Sequence, residues 1–355
     1  MKRDPKIATV LPYKENYTTS KAQAAAIWVS DFFKNSRFKK NNFIFGNTSG
    51  KDFLTNNYIN IKLKSINSKI FSTTNEYCNE FIKIHNKEKF DIIEIHNRPL
   101  VLTYLQKKIP GKFIIYFHND PLSMKGSITI KERVNLLKIS DRIVFISQWV
   151  KKRFFENLKE YSEEKTKVIY HSVNKEKKFY KKNKYITFVG KLNTAKGYDI
   201  FRDAIIKILN EYKDWKAFSI GDETRERPII EHKQHKELGF LNHKKVLNFL
   251  NKSEIAVVPS RWEEPFGRTA LEASSKGCAT IISNRGGLPE TTDHSIILKK
   301  NTANELYKKI SKLIANKEYR KKIQSQSFNN VKHLINNNTK LIDDLRNELI
   351  DIFKL

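Results

Sequence analysis

The chain has 355 residues, enough for two domains with full hydrophobic cores, and its composition is that of a globular protein. Its two cysteines, Cys78 and Cys278, exclude a disulfide framework. No run approaches the roughly 18–20 apolar residues of a membrane span, and a first strand stands in place of a signal peptide, so we predict a cytoplasmic protein. The formal net charge of +29 favours a polyanionic partner, although a Lys-, Asn- and Ile-rich composition typical of an AT-rich genome explains the same excess.

Strand-like apolar runs alternate with helical patterns in the first half of the chain, which predicts an α/β fold with a parallel sheet. The predicted strands are 7–11, 42–45, 59–61, 92–95, 112–117, 142–146 and 167–170, with a helix over 21–34. The Lys-rich stretch 175–184 is typical of a linker. The first domain is therefore predicted over 1–174.

The second half repeats the same alternation. Its predicted strands are 185–189, 217–220, 236–240, 255–258, 279–283 and 295–298, which predicts a second domain over 185–335. The last segment, 336–355, has helical periodicity over 337–354.

Apolar side chains stand beside cations near the first predicted helix, as they would on a helix at a membrane surface. A helix packed on its own sheet has the same pattern. We favour core packing for Trp28 and Val29. The basic residues that follow are then the candidate contacts with anionic lipid: Lys34, Arg37, Lys39 and Lys40.

The stretch 254–290 combines a strand, an acid, a helix start and a second acid. Pro265 suits the first turn of a helix over 266–276, whose free amides can hold phosphate oxygens. Gly267 lets a ligand approach the backbone. Glu272 could accept hydrogen bonds from ribose hydroxyls, and Glu264 could face a sugar. The alternative is that both acids are surface charges stabilised near a helix start.

This segment resembles the E-x7-E motif of family 4 retaining glycosyltransferases, and is similar to bacterial enzymes that build lipopolysaccharide or other surface polysaccharide. Other segments resemble further elements of the family, in the family's order. They are 185–192 with Lys196-Gly197 ("G-R-L…K-G"), 219–222 ("G-D"), 238–240 ("L-G"), and the strand ends 91–97, 116–121, 141–147 and 171–174.

The resemblance implies a GT-B fold, in which two Rossmann-like domains with parallel sheets face an interdomain cleft. In such enzymes the C-terminal helix, here 336–355, packs back on the N-terminal acceptor domain, and the C-terminal domain binds the donor. The implied activity is retaining transfer of a sugar from a nucleotide-diphosphate sugar to a glycan or lipid-linked acceptor. No cofactor is expected, and no metal, because the sequence has no D-x-D triplet for a divalent ion.

The resemblance assigns the donor site to the second domain. Glu272 would hold the ribose, Lys196 and Lys191 the diphosphate, and Glu264 the donor sugar. The remaining candidates would contact the donor mainly through the loop and the helix amides: Gly190, Phe266, Gly267, Arg268, Thr269, Ala270 and Leu271.

The acceptor side falls on the first domain, at predicted strand ends, where ligands bind in open α/β sheets. His118 could contact sugar hydroxyls or the α-phosphate, or it could simply cap its strand. Asp120 is a candidate for contacting or deprotonating the acceptor hydroxyl, and His96 and Arg98 would line the acceptor side.

The sequence departs from the family pattern at three places. Lys191 replaces the usual Arg, so the charge stays but a bidentate fork to two phosphate oxygens is lost. His171-Ser172 replaces Asn-Gly, a change expected to matter only for the interdomain loop. The Gly-rich loop after the first strand is missing, and 11–20 stand in its place. After the motif helix, Gly286 and Gly287 would let their loop approach the sugar or diphosphate.

Two other classes of protein remain. A UDP-sugar 2-epimerase-like enzyme would use the same fold, and would form an epimer from a UDP-sugar without an acceptor. A nucleic-acid-binding protein would explain the charge, but the sequence has neither a basic-aromatic platform nor a recognition module, so nucleic acid is not an expected partner. The expected partners are a nucleotide-sugar donor, a glycan or lipid-linked acceptor, and an anionic membrane surface.

Overall fold

A computed structural model describes residues 4–63, 72–159, 161–225 and 228–351. The chain divides into two compact units. The first comprises Met1–His171 and Ile335–Leu355, and the second Ser172–Leu334. Each unit is built around its own parallel sheet with helices.

The described part of the first unit has a seven-stranded sheet in the order β3-β2-β1-β4-β5-β6-β7, with every pair parallel. The strands are β1 (Ile7–Val10), β2 (Asn42–Gly46), β3 (Tyr58–Asn60), β4 (Ile92–His96), β5 (Lys112–Phe117), β6 (Arg142–Phe145) and β7 (Thr166–Val168). The strand order reverses between β1 and β4, where Ile7 pairs with Ile92. Ligands bind at such reversals, beyond the carboxyl ends of the strands.

The helices of this unit are α1 (Ala24–Asn35), α2 (Thr73–Glu88), α3 (Pro99–Leu105), α4 (Ile130–Ile139), α5 (Gln148–Phe155) and the final helix α11 (Ile335–Asp351). One core cluster joins α1, α11 and one face of the sheet, and it includes Trp28, Val29, Ile342 and Leu345. Trp28 and Val29 are 2% and 4% exposed, so their predicted core packing is confirmed.

The described part of the second unit has a six-stranded parallel sheet in the order β10-β9-β8-β11-β12-β13. Its strands are β8 (Asn183–Val189), β9 (Lys216–Ile220), β10 (His235–Glu237), β11 (Ser253–Val258), β12 (Ala279–Ser283) and β13 (Ile296–Leu298). The reversal lies between β8 and β11, where Phe188 pairs with Val257.

The helices of the second unit are α6 (Tyr198–Glu211), α7 (His243–Lys252), α8 (Arg268–Ser275), α9 (Ala303–Ala315) and α10 (Lys317–Asn329). Buried Ile and Phe side chains of β8 and α6 pack with Ile255 and Ile281 from β11 and β12. These strands are apolar on both faces because helices cover both faces of a parallel sheet.

Several element boundaries differ from the predicted ones for local reasons. The strand predicted at 236–240 ends at Glu237, because Gly239 has a left-handed φ of 65°. The helix predicted over 21–34 begins at Ala24, because Asp52 accepts hydrogen bonds that hold Thr19 in a loop. The tail helix runs over Ile335–Asp351, and the last residues predicted for it lie outside the described part.

The segment 175–184, predicted as a linker, lies within the second unit, and β8 begins inside it at Asn183. Two charged side chains attach it to the end of α8. Glu176 pairs with the buried ammonium of Lys276, and Lys182 Nζ donates to the carbonyl oxygen of Lys276 at 2.5 Å. The segment is therefore attached to the domain through Glu176 and Lys182, whereas its other lysines are exposed. Within the described residues, no helix is long and apolar enough to span a membrane.

Candidate active site

Helix α8 begins at Arg268 rather than at the predicted residue 266, because Gly267 occupies its N-cap with a φ of 98°. A Cβ at Gly267 would lie 2.3 Å from Leu288 Cδ2, so the position has no room for a side chain. Of the predicted donor residues near this start, Phe266, Ala270 and Leu271 are buried and Thr269 is half-buried. The N–H groups of Ala270 and Leu271 donate to the Gly267 carbonyl oxygen at 2.9 and 3.4 Å, so only the helix amides that precede them remain for a ligand.

Glu272 is 5% exposed and lies at the centre of a charged cluster that the sequence did not predict. Arg268 Nε donates to its Oε1 at 2.6 Å, and His243 Nε2 lies 2.8 Å from the same oxygen. Burial alone would raise the pKa of the Glu272 carboxyl, but Arg268 and His243 outweigh it and hold that pKa below its usual value. The cluster therefore presents an ionised carboxylate.

Glu264 lies in the loop between β11 and α8 and is 9% exposed. Lys196 Nζ donates to its Oε1 at 2.6 Å, so the predicted sugar-binding acid and the predicted diphosphate-binding lysine are in direct contact. Two turns bring them together. Asn193 caps the short 3-10 helix that ends at Lys196, and Arg261 donates its backbone N–H to the carbonyl oxygen of Ala195 at 3.0 Å.

The two glycines after β12, predicted to let their loop approach a ligand, have a packing role in the structure. Gly287 donates its N–H to the Glu264 carbonyl oxygen at 2.6 Å, and Gly286 donates to Glu263 at 2.6 Å. A Cβ on Gly286, at φ 57°, would lie 2.1 Å from the Glu264 carbonyl oxygen. The Gly-Gly pair therefore allows two loops to pack backbone to backbone, and this packing fixes the position of Glu264.

Gly190 and Lys191 follow β8 at the edge of the sheet where Lys196 and Glu264 lie. The backbone at Gly190 packs tightly, since a Cβ on its neighbour Gly221 would be 1.9 Å from the Gly190 carbonyl oxygen. Lys191 is exposed. The second unit thus gathers two lysines, two acids and the start of α8 at the carboxyl ends of its central strands, where phosphate groups bind in this class of sheet.

In the first unit, three histidines form a hydrogen-bonded chain at strand ends. His96 Nδ1 lies 2.8 Å from His118 Nε2, and His118 Nδ1 lies 3.0 Å from His171 Nε2. All three are at most 5% exposed, and Trp28 packs against them with ring centroids 4.9–5.8 Å away. Both nitrogens of His118 are therefore used, and it can contact a sugar only by releasing one neighbour.

Two rings of this chain, those of His96 and His118, are neutral. Burial, with further effects from Arg346 and His171, lowers the pKa of His96 to about 3. Burial and the adjacent His96 hold the pKa of His118 well below its ordinary value. Since a neutral imidazole has one donor and one acceptor, the tautomer of each ring determines that of the next.

His171, expected to matter only for a loop, completes this chain. The sequence signal that could have revealed the role of His171 is its position just after a strand. His96 ends β4, His118 directly follows β5, and His171 comes three residues after β7. Carboxyl ends of parallel strands share one edge of a sheet.

Asp120 and Arg98 have structural partners. The Asp120 carboxylate accepts from Leu122 N at 3.0 Å, and Arg153 binds it through Nε and Nη2 at 3.1–3.3 Å. It thus holds its own loop, and these contacts do not support the predicted contact with an acceptor hydroxyl. The Arg98 guanidinium lies 5.1 Å from the Tyr13 ring centroid, at the start of α3. Within the described residues no group of three or more His, Cys, Asp or Glu could hold a metal ion.

The family model for glycosyl transferases group 1 matches residues 171–329. An uncharacterized glycosyltransferase of Methanocaldococcus jannaschii is 33% identical over 254 residues, covering 67% of this chain and 69% of that protein. Spore coat protein SA of Bacillus subtilis is 26% identical over 285 residues, covering 68% of this chain and 73% of that protein.

Among solved structures, Anabaena HepE in complex with UDP and glucose is similar with a TM-score of 0.76 at 15% identity, over 97% of this chain and 100% of that one. This likeness concerns the fold, and it confirms the predicted α/β class with two parallel sheets. Together, the family match over most of the second unit and the archaeal relative, one-third identical over two thirds of both chains, establish that the chain is an enzyme belonging to the group 1 glycosyltransferases.

Proposed function

We propose that the protein is a retaining glycosyltransferase of family 4, and that its donor is a nucleotide-diphosphate sugar bound by the second unit. The observation that carries this proposal is the geometry of Glu272. Arg268 and His243 both contact its Oε1, whereas no described residue donates a hydrogen bond to Oε2. An ionised carboxylate with one oxygen held and the other available is suited to accept hydrogen bonds from ribose hydroxyls.

The diphosphate would bind beside it, at the lysines and the start of α8. Lys196 Nζ is a third exposed and pairs with Glu264, so an arriving phosphate can share its ammonium without a backbone rearrangement. The Glu264 carboxylate, held by the backbone contacts of Gly286 and Gly287, would then accept hydrogen bonds from the donor sugar. Cationic side chains and helix amides would stabilise the charge that grows on the leaving diphosphate, so the transfer needs no divalent metal ion.

The reaction follows from this arrangement. The bond between the anomeric carbon and the diphosphate oxygen breaks, and the acceptor hydroxyl oxygen bonds to the same face of that carbon. The acceptor proton passes to an oxygen of the leaving phosphate. Because no carboxylate of the site is assigned to the opposite face of the sugar, front-side displacement is the proposed route.

The proposed acceptor is a lipopolysaccharide or another surface glycan, reached from the first unit at the inner face of the membrane. Support comes from the net charge of +29, which would attract the protein to anionic lipids or acidic glycans. Binding to liposomes tests this part. We expect flotation with anionic liposomes at physiological salt. Equal recovery with zwitterionic liposomes would contradict it.

Donor binding is tested by thermal shift and by calorimetric titration with UDP-, GDP- and ADP-sugars. UDP-glucose is a natural first probe, because HepE was solved with UDP and glucose. We expect one base to stabilise the wild type. Glu272→Ala should weaken binding about 100-fold or more, because two charge-assisted hydrogen bonds are lost.

A matched control is Glu318→Ala, which removes an exposed glutamate from α10 of the same unit. It should bind the donor like the wild type. If Glu272→Ala, folded by circular dichroism, still binds the favoured nucleotide sugar with wild-type affinity, the proposed donor site is wrong. Incubation of the wild type with that sugar alone should give only slow hydrolysis, whereas rapid formation of an epimer would indicate an epimerase.

A further inference from the structure

A cavity of ≈ 420 Å³ lies in the second unit, at the opposite edge of the sheet from the candidate donor site. Lys182 directly precedes β8 and Glu254 is the second residue of β11, so the cavity is at the amino ends of these strands. The candidate donor residues follow the carboxyl ends of the same strands. At about 3.3 Å per residue, a strand of this length separates the two places by roughly 20 Å. The cavity is therefore independent of the donor site.

The lining of the cavity carries excess positive charge. Lys182, Lys317, Lys321 and Arg320 face a single carboxylate, that of Glu254. Arg320 is 4% exposed, and its Nε donates to Glu254 at 2.6 Å, so these two charges neutralise each other. Three ammonium groups remain without a lining carboxylate; outside the lining, the exposed Glu318 lies 3.8 Å from Lys321 Nζ.

Two of the lysines are available to a ligand. Lys317 and Lys321 lie on exposed positions one turn apart on α10, on the same face of the helix. Lys182 is held at the wall, where its Nζ donates to the carbonyl oxygens of Lys276 and Leu250 at 2.5 and 3.3 Å. Because an ammonium group has three N–H donors, one remains after these two bonds.

The apolar part of the lining is aromatic. Phe179 and Phe328 pack edge to face with ring centroids 5.1 Å apart, and Phe179 is 42% exposed. Phe179 is held against the turn that ends α8, where a Cβ on Gly277 would lie 2.5 Å from its ring. A volume in the usual range for small-molecule sites, with aromatic walls and convergent cations, is the pattern of a ligand site rather than of a packing defect.

We propose that this cavity is a second ligand site, which binds a small organic phosphate that carries a planar ring. The phosphate dianion would lie between Lys317, Lys321 and the remaining proton of Lys182. The ring would pack against Phe179 and Phe328. A dianion matches the excess of positive charge better than a carboxylate does, and the volume accommodates ring and phosphate together.

Phenyl phosphate is the probe for this proposal, and isothermal titration calorimetry on the full chain is the measurement. Inorganic phosphate and phenol, which each carry one half of phenyl phosphate, are the half-probes used for comparison. With saturating UDP present, we expect phenyl phosphate to bind with a stoichiometry of one, and more tightly than either half-probe. Binding that disappears when UDP is added would place the probe at the donor site and overturn the proposal.

The deciding variant is Lys317→Ala/Lys321→Ala. Its matched control, Lys308→Ala/Lys322→Ala, removes the same charge from exposed positions on α9 and α10 that do not line the cavity. The first pair should weaken phenyl phosphate binding about tenfold or more, and the control pair should leave it unchanged. Equal weakening in both pairs would mean that the phosphate responds only to overall charge, and the proposal would fail.

Phe328→Leu tests the aromatic wall separately. It should reduce the preference for phenyl phosphate over inorganic phosphate while leaving the affinity for inorganic phosphate in place. If wild type and Phe328→Leu bind both probes equally, no ring is recognised, and the site as proposed does not exist.

Discussion

Both units gather titratable side chains at the carboxyl ends of their strands, but His96 and His118 of the first unit are uncharged, whereas Glu272 of the second is ionised. In the first unit, His118 bonds to His96 through one ring nitrogen and to His171 through the other, and burial keeps His96 and His118 neutral. In the second unit, Glu272 is as deeply buried, yet Arg268 and His243 keep it ionised. Burial alone therefore does not determine the charge of a site; the partner supplied beside the buried group does.

The difference suits different tasks. A charged cluster is suited to bind a nucleotide diphosphate, whereas the neutral rings of His96 and His118 fix each other's orientation and tautomer and can offer a substrate only uncharged hydrogen bonds. The first unit does contain buried charge, in the pair of Arg346 on α11 and Glu94 on β4, with two bonds of 2.7 and 2.8 Å. That pair attaches the last helix to the sheet, and Arg346 is close enough to lower the pKa of His96.

The largest expected effect concerns that ion pair. Glu94→Gln should lower the free energy of unfolding by about 3 kcal/mol, because buried Arg346 would lose the carboxylate that accepts two of its bonds and keep only Asp343, at 3.1 Å, as a counter-charge. The control is Glu348→Gln on α11, the helix that carries Arg346. The Glu348 side chain is half-exposed and lies 3.3 Å from Arg142, so its loss should lower the free energy of unfolding by less than about 1 kcal/mol. Urea denaturation measures both. A Glu94→Gln loss no larger than that of the control would show that the pair does not stabilise the unit.

The charged cluster of the second unit is tested by measuring kcat for sugar transfer. Lys196→Met should lower kcat about 100-fold or more, because charge on the leaving diphosphate loses a fixed cation. Lys191→Met should cost less, about tenfold, because Lys191 is exposed and its ammonium is solvated. Steady-state kinetics with the favoured donor measures both. Lys207→Met, an exposed position on α6, should leave kcat unchanged. A reversed order of the two losses would contradict the assignment of Lys196.

Acid should destabilise the histidine chain before it affects the Glu272 carboxylate. The pKa of His96 is about 3 in the folded chain, below its ordinary value of 6.5, so the unfolded chain binds its proton first. Stability should therefore fall as the pH drops below about 6.5, by about 1.4 kcal/mol per pH unit for each such histidine, or about 2 kcal/mol at pH 5. Glu272 has a lowered pKa, so its contribution is present above about 4.5 and is lost only as the pH falls through the folded value.

Hydrogen exchange followed between pH 7 and 5 measures this effect. Protection in β4 and β5 should decline in this range, and a histidine variant separates this decline from that caused by His235 and His333 in the second unit, whose pKa values burial also lowers. His96→Gln should remove one histidine's share of the slope. If both units lose protection together, with the same slope in the variant, the neutral chain is not the source of acid sensitivity.

The smallest expected effect concerns His171, a positioning residue for His118. His171→Phe should lower kcat/KM about tenfold, because nothing then fixes the tautomer of His118 from its Nδ1 side. His171→Gln can still hydrogen-bond, so it should recover most of the loss. Nitrogen-15 chemical shifts of the His118 ring report the tautomer directly. A Phe variant with both the wild-type shifts and the wild-type rate would rule out this role.

The local sequence pattern was sufficient to predict most of the strands, and the order of strand, loop and helix around Glu264 and Glu272. The apolar β-branched runs of β5 and β12 have the predicted bounds, since a strand buried on both faces needs an uninterrupted apolar run. The loop and helix that carry Glu264 and Glu272 were also predicted, with a start two residues early. The error at Gly267 arose because Pro265 suits a helix start, whereas a left-handed N-cap is determined by packing against Leu288.

By itself, the sequence determined the α/β class, the two parallel sheets and which polar residues stand at strand ends, because these follow from periodicity and from turn chemistry within a few residues. Only the tertiary structure decided the pairings: Glu272 with His243, 29 residues away, Glu264 with Lys196, 68 residues away, and Arg346 with Glu94, 252 residues away. Such contacts depend on strand order and on how closely loops approach at a sheet edge. No local sequence pattern encodes how closely two such loops approach. The charge state and the role of each group are therefore set only when the chain is folded.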